Sequence, residues 1–170
     1  MSLDPPGAVA RLRPRPPAHV SATRDSRGTP PELYAALDAE FRFTLDPCPL
    51  DTSATAGAPL WGKDGLRRSW AGERVFCNPP YSSIAQWIGK HPEAGLAVYL
   101  LPVKSDMGWW HDHVMRADEV RFIRGRLRFQ SMNGGAPFPS VVVVFDKWGG
   151  LNETRWTTMD RPPRPPRPGR

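Results

Sequence analysis

Residues 74–90 read Arg-Val-Phe-Cys-Asn-Pro-Pro-Tyr-Ser-Ser-Ile-Ala-Gln-Trp-Ile-Gly-Lys, and the fold class turns on this stretch. Its first four residues form a short apolar run that stops at Asn78-Pro79-Pro80-Tyr81. Ser82 or Ser83 can then cap a helix that carries Ile84, Trp87 and Ile88 on one face. Strand, turn and helix in succession is the unit from which parallel sheets are built. The next apolar run, Leu-Ala-Val-Tyr-Leu-Leu at residues 96–101, is continuous rather than alternating and ends at Pro102. That pattern predicts a strand buried on both faces.

Toward the N-terminus, Thr29-Pro30-Pro31-Glu32 predicts a helix start, with Thr29 as cap, proline at the first helical position and Glu32 three residues after the cap. Leu33, Tyr34, Leu37 and Phe41 recur at helical spacing and predict one apolar face. Residues 41–45 then alternate and are halted by Asp46-Pro47, which predicts a short strand, and residues 47–64 read as loop. Toward the C-terminus, residues 107–115 predict a helix with Trp109, Trp110 and Val114 available to pack. Residues 120–123 and 127–129 read as strands punctuated by Gly125, and residues 140–145 (Ser-Val-Val-Val-Val-Phe) are the clearest buried strand. The alternation predicts an α/β fold with a mainly parallel sheet.

The chain has 170 residues, 39% hydrophobic and 24% charged, which fits one compact domain. Its 21 prolines concentrate at the ends, with five in residues 1–28 and five in residues 160–170. Those ends also carry nine arginines against Asp4, Asp25 and Asp160, so they hold the whole net charge of +6, whereas residues 29–159 balance 14 basic against 14 acidic residues. The expected organisation is a folded domain at 29–159 between two Pro/Arg-rich disordered tails, 1–28 and 160–170. Such tails suit salt-dependent attraction to phosphates, or simply solubility. No apolar run approaches the ~20 residues of a membrane span, and the first 20 residues lack the apolar core of a leader. Cys48 and Cys77 have no histidine spacing that would make a zinc site. The expectation is therefore an intracellular, cytoplasmic protein with reduced thiols, no metal and no membrane partner.

In open parallel sheets the ligand lies beyond the carboxyl ends of the strands, where Asp46 and Asn78-Pro79-Pro80-Tyr81 stand in this reading. Two consecutive prolines hold their backbone extended and stiffen the loop. Asn78 offers an amide oxygen, the Pro79 carbonyl a second acceptor with no donor on Pro80, and Tyr81 an aromatic face. Two acceptors and a stacking ring suit a planar amino group such as the exocyclic nitrogen of adenine. A strand terminator with a packed tyrosine is the plainer alternative, as a turn former is for Asp46. Arg116, Arg121, Arg124, Arg126 and Arg128 fall within 13 residues that hold only Asp118 and Glu119 as acids. Arg126 and Arg128 alternate with Leu127 and Phe129, which would give one basic, phosphate-binding or merely solvated face.

Phe76-Cys77-Asn78-Pro79-Pro80-Tyr81 resembles the catalytic motif of class I, S-adenosylmethionine-dependent amino methyltransferases, and the surrounding chain resembles the phage Dam-like DNA N6-adenine methyltransferases. The likeness also runs through Thr29-Pro30-Pro31-Glu32-Leu33, Phe43-Thr44-Leu45-Asp46-Pro47-Cys48, Asp64-Gly65-Leu66 with Trp70, and the segment 122–129. It implies a reduced Rossmann-like fold, S-adenosylmethionine as cofactor, DNA as partner and host-cell cytoplasm as location. By resemblance, Thr29 and Pro30 contact the methionine part of the cofactor. Asp46, opening a loop with Pro47 and Cys48, attracts its α-ammonium, and Asp64 accepts from its adenine. Asn78, Pro79, Pro80 and Tyr81 match the substrate-base site. With DNA as partner, the local charge cluster, rather than the resemblance, makes Arg124, Arg126 and Arg128 the expected DNA contacts. Only 31 residues separate Asp46 from Asn78, too few for more than one βαβ unit at about 30 residues each, so the sheet should be pruned. An Asn-Pro-Pro-Tyr loop also suits an RNA base or a protein glutamine amide, and the glycine-poor cofactor loop also fits a non-catalytic nucleic-acid-binding relic.

Overall fold

The computed structural model describes residues 28–49, 64–129, 135–149, 153–161 and 163. Helix α1 (Pro31–Phe41) precedes strand β1 (Arg74–Cys77). A 3-10 turn at Tyr81–Ser83 leads into α2 (Ile84–Ile88), and a second at His91–Glu93 into β2 (Leu96–Pro102). Then come α3 (Gly108–Asp112), a 3-10 turn at Val114–Arg116, β3 (Glu119–Arg124), β4 (Ser140–Asp146) and β5 (Arg155–Asp160).

The five strands form one sheet in the order β1-β2-β4-β3-β5. Its side chains alternate between two apolar cores, as the period of two requires. Val75, Cys77, Ala97, Tyr99, Leu101, Val141 and Val143 face α2 and α3 on one side. Phe76, Leu96, Val98, Leu100, Val142 and Val144 face α1 on the other. Helices on both faces explain why β2 and β4 are apolar throughout. Trp109 and Trp110, expected to pack, are buried in the first core. The Tyr99 hydroxyl donates to the Trp87 carbonyl at 3.0 Å and fastens α2 to β2.

The sheet is mixed rather than mainly parallel. β1 pairs with β2 and β3 with β5 in parallel, whereas β4 runs antiparallel to both β2 and β3. An apolar run buried on both faces has the same composition in either direction, so the reversal of β4 leaves no mark in its own residues. Residues 41–45 do not form a strand. The left-handed Arg42 (φ 51°) ends α1, and only Leu45 bridges Val75, in parallel. Residues 126–129 join no ladder either, yet Leu127 and Phe129 are buried while Arg126 and Arg128 are exposed, so the alternation holds without a partner strand. β5 has no counterpart among the expected elements because its burial swings only between exposed and half-buried, which leaves no apolar period to read. Most of both Pro/Arg-rich tails, and the loop at 50–63, lie outside the described residues.

Candidate active site

The carboxyl ends of the parallel strands collect most of the polar residues singled out above. Asn78 follows β1 directly, and its Nδ2 donates to the Thr29 hydroxyl at 3.0 Å. Thr29 was expected to cap α1. Instead Pro30 occupies that position without a side-chain cap, and the Thr29 hydroxyl, buried at 5% exposure, is left for Asn78. With its nitrogen tied to Thr29, the amide turns its oxygen the opposite way, which fixes the orientation of an acceptor. Pro79 is buried, Pro80 and Tyr81 half-buried, and Pro80 has φ −56° and ψ 132°, the extended geometry that a proline pair enforces. The Ser83 N–H donates to the Pro80 carbonyl at 3.1 Å, closing the turn behind Tyr81.

Tyr81 meets Phe138 edge to face, with ring centroids 5.3 Å apart. Phe138 was not among the sequence candidates. Its signal is a flanking proline on either side, Pro137-Phe138-Pro139, which stiffens the backbone around an aromatic ring as Pro79-Pro80 does before Tyr81. The Pro139 carbonyl accepts from Val103 N–H at 2.9 Å, so the end of β2 holds this segment beside the Asn-Pro-Pro-Tyr loop.

The bridge between Leu45 and Val75 sets the next residue, Asp46, beside β1. Asp46 is 3% exposed. Burial pushes its carboxyl up to about 7, against the downward pull of the Cys48 N–H, which donates to Oδ1 at 3.1 Å. Among the described residues it has no cationic partner. A buried carboxylate with one backbone donor carries an uncompensated desolvation cost, which a cationic group would offset.

Asp64 is exposed, and its carbonyl caps a turn by accepting from the N–H groups of Arg67 and Arg68 at 2.9 and 3.1 Å. The next residue, Gly65, lies so close to the Pro47 carbonyl that any side chain there would overlap it. Here, then, is one close approach that requires glycine, and it joins the Asp64 segment to the Asp46 loop. The buried Trp70 locks the arrangement by donating from Nε1 to the Gly65 carbonyl at 2.8 Å while stacking on Trp87 at 6.3 Å.

The arginines divide. Arg121 is committed to the fold: it meets Glu40 at 2.6 Å and Glu119 at 2.9 Å and lies over the Phe41 ring. Arg116 follows α3, before the start of β3. Arg124, Arg126 and Arg128 are exposed at the carboxyl end of β3, on the segment that leads to Phe138. Among the described residues the ion pair to this group is loose and solvated, 3.8 Å from Arg124 to Asp160, and Arg161 donates to the Arg126 carbonyl at 3.2 Å. Among the described residues no group of three or more His, Cys, Asp or Glu side chains is placed to hold a metal, and no helix is long and apolar enough to cross a membrane.

Compared with known proteins, residues 18–159 match the family model described as DNA N-6-adenine-methyltransferase (Dam). No curated protein and no solved structure matches significantly.

Proposed function

The chain belongs to the DNA N-6-adenine-methyltransferase (Dam) family, and from that premise we propose that it moves a methyl group from S-adenosylmethionine to N6 of adenine at the carboxyl end of β1. Family membership makes it a DNA adenine methyltransferase; the donor, the atom methylated and the residue roles are our reading. The observation that carries it is the Asn78 amide, oriented by Thr29 beside the Tyr81–Phe138 aromatic pair.

N6 of adenine is a weak nucleophile because its lone pair is delocalised into the ring. Asn78 Oδ1 and the Pro79 carbonyl, accepting its two hydrogens, favour a tetrahedral nitrogen and match the positive charge that develops there. Fixing that nitrogen supplies the rest of the gain by orientation, so no base is needed before transfer. An adenine drawn from a duplex loses its stacking, and Tyr81, backed by Phe138, restores part of it.

The donor set fits the cofactor. Asp46 would hold the α-ammonium, with Thr29, Pro30, Pro47 and Cys48 along the methionine part, and Asp64 would accept from the adenine amine. When bound, S-adenosylmethionine supplies an electrophilic methyl on sulfur. The parallel bridge from Leu45 to Val75 supports a reduced class I, Rossmann-like sheet, since it makes the cofactor loop and the catalytic-motif loop neighbours. Arg124, Arg126 and Arg128 would contact phosphates, and the tails would add sequence-independent attraction.

The test is transfer of labelled methyl from S-adenosylmethionine by the purified full chain to DNA, RNA and glutamine-containing protein, with N6-methyladenine identified by mass. Label in DNA alone, as N6-methyladenine, is the expected result. Label in RNA or protein instead would overturn the substrate assignment, and failure to bind S-adenosylhomocysteine would favour a relic.

A further inference from the structure

The Sγ atoms of Cys48 and Cys77 lie 3.4 Å apart, and both are free thiols. They join the two halves of the site: Cys48 closes the Asp46-Pro47-Cys48 loop, and Cys77 is the last residue of β1, directly before Asn78. Cys77 is fully buried, whereas Cys48 is half-buried and thus the thiol that a small solute reaches first. We propose that Cys48 and Cys77 are a covalent modification site for hydroperoxides, closing to a disulfide that loosens the hold on the cofactor; this rests on the cofactor reading above.

The chemistry balances in two steps. With hydrogen peroxide, Cys48 sulfur attacks one oxygen, the O–O bond breaks, and the thiol proton leaves with the other oxygen as water, so that a sulfenic acid remains on Cys48. Cys77 sulfur then attacks the Cys48 sulfur, its proton leaves with the displaced hydroxide as a second water, and an S–S bond forms. Two thiols lose two electrons, and one peroxide becomes two waters. Burial, together with the neighbouring Cys48 sulfur, pushes the Cys77 thiol well above its ordinary range, which keeps it protonated and unreactive until Cys48 is oxidised.

Closing the bond draws the sulfurs from 3.4 Å to about 2.05 Å. β1 is held by its ladder to β2 and cannot follow, so Cys48 moves. Two contacts stand in its way. The Cys48 N–H is the hydrogen bond that lowers Asp46 against the upward push of burial; pulling it off Oδ1 leaves Asp46 more readily neutralised and less attractive to an ammonium. The adjoining Pro47 carbonyl is packed against Gly65 without room for a Cβ, so the shift also displaces the segment bearing Asp64.

The experiment treats the full chain with a small excess of hydrogen peroxide. Peptide mass then locates the cross-link, and calorimetry with S-adenosylhomocysteine compares the reduced, oxidised and dithiothreitol-treated forms. A Cys48–Cys77 cross-link is expected, with affinity reduced about tenfold, equivalent to ~1.4 kcal/mol, and restored by dithiothreitol. Cys77→Ala should form no cross-link and keep its affinity through peroxide. The proposal is overturned if both thiols remain alkylatable, or if the cross-link forms while affinity is unchanged. A reduced protein that fails to bind S-adenosylhomocysteine would overturn the cofactor reading and the coupling to it, while the cross-link mass would still decide the dithiol chemistry by itself.

Discussion

Two buried carboxylates in the same domain have opposite surroundings. Glu119, at the start of β3, is 6% exposed and accepts from Arg121 at 2.9 Å, Arg155 at 2.7 Å and Thr157 at 3.2 Å. Burial pushes its carboxyl up, but the two guanidinium groups outweigh that and hold it below the usual range. Asp46, 3% exposed, has the Cys48 N–H and rises to about 7. A carboxylate that serves the fold is surrounded by donors from its own chain. One whose donor among the described residues is a single backbone N–H retains a desolvation cost that an incoming cation can relieve, and perturbation of that kind is enriched at functional sites. The carboxylate at the β3–β5 edge is paired within the chain, and the one beside β1 has no cationic partner among the described residues.

The strongest way to break this contrast is Asn78→Ala. It should lower single-turnover methyl transfer by about 10²–10³-fold, the usual cost of one positioned polar group at the reacting centre, with S-adenosylhomocysteine affinity within a few fold. Full methylation by the variant would remove Asn78 from the proposed catalytic site. Glu119→Ala should act in the opposite sense. Loss of its charged hydrogen bonds should cost about 2–3 kcal/mol of stability by denaturant unfolding, with the transfer rate per folded molecule unchanged.

Asp46 sharpens the contrast through pH. Its folded value of about 7 lies above the unfolded value of about 3.9, so between these the folded state holds more protons. The corresponding stability is full below pH ~4 and lost as pH rises toward 7. An ammonium ligand needs the carboxylate, so S-adenosylhomocysteine should bind more tightly from pH 6 to 8. Asp46→Asn should abolish that pH dependence, weaken binding by about 1–3 kcal/mol and raise stability above the wild type at pH 8. Calorimetry and unfolding at three pH values would check it, and a pH-independent wild-type affinity would count against the assignment.

The smallest effect concerns the basic segment. Arg126→Ala or Arg128→Ala should each lower the slope of log affinity against log salt by about 1 and slow transfer even at saturating DNA, because these residues alternate with Leu127 and Phe129, which are anchored in the core. Deleting residues 1–24 and 161–170 should flatten the salt dependence without changing the saturated rate. A truncated protein with an altered target sequence would show that the tails do more than concentrate the enzyme.

By itself, the sequence determined what neighbours in the chain decide. The apolar face of α1, the strand–Asn-Pro-Pro-Tyr–helix unit and the two-sided burial of β2 and β4 are legible because periodicity and proline stiffness act over a few residues. Asn78 to Tyr81 could be singled out because its acceptors and its ring are contiguous. Tertiary structure decided the rest. Strand order brought Thr29 to Asn78, Phe138 to Tyr81 and Cys48 to Cys77, pairs separated by tens of residues, and it reversed β4, whose valines pack equally well in either direction. It also separated Arg121, spent on Glu40 and Glu119, from Arg126 and Arg128, which the sequence lists with the same letter. β5, exposed along most of its length, depends on hydrogen bonds to β3 rather than on an apolar pattern of its own. Backbone pairing is blind to side-chain type, which is why such a strand becomes visible only once the sheet has formed.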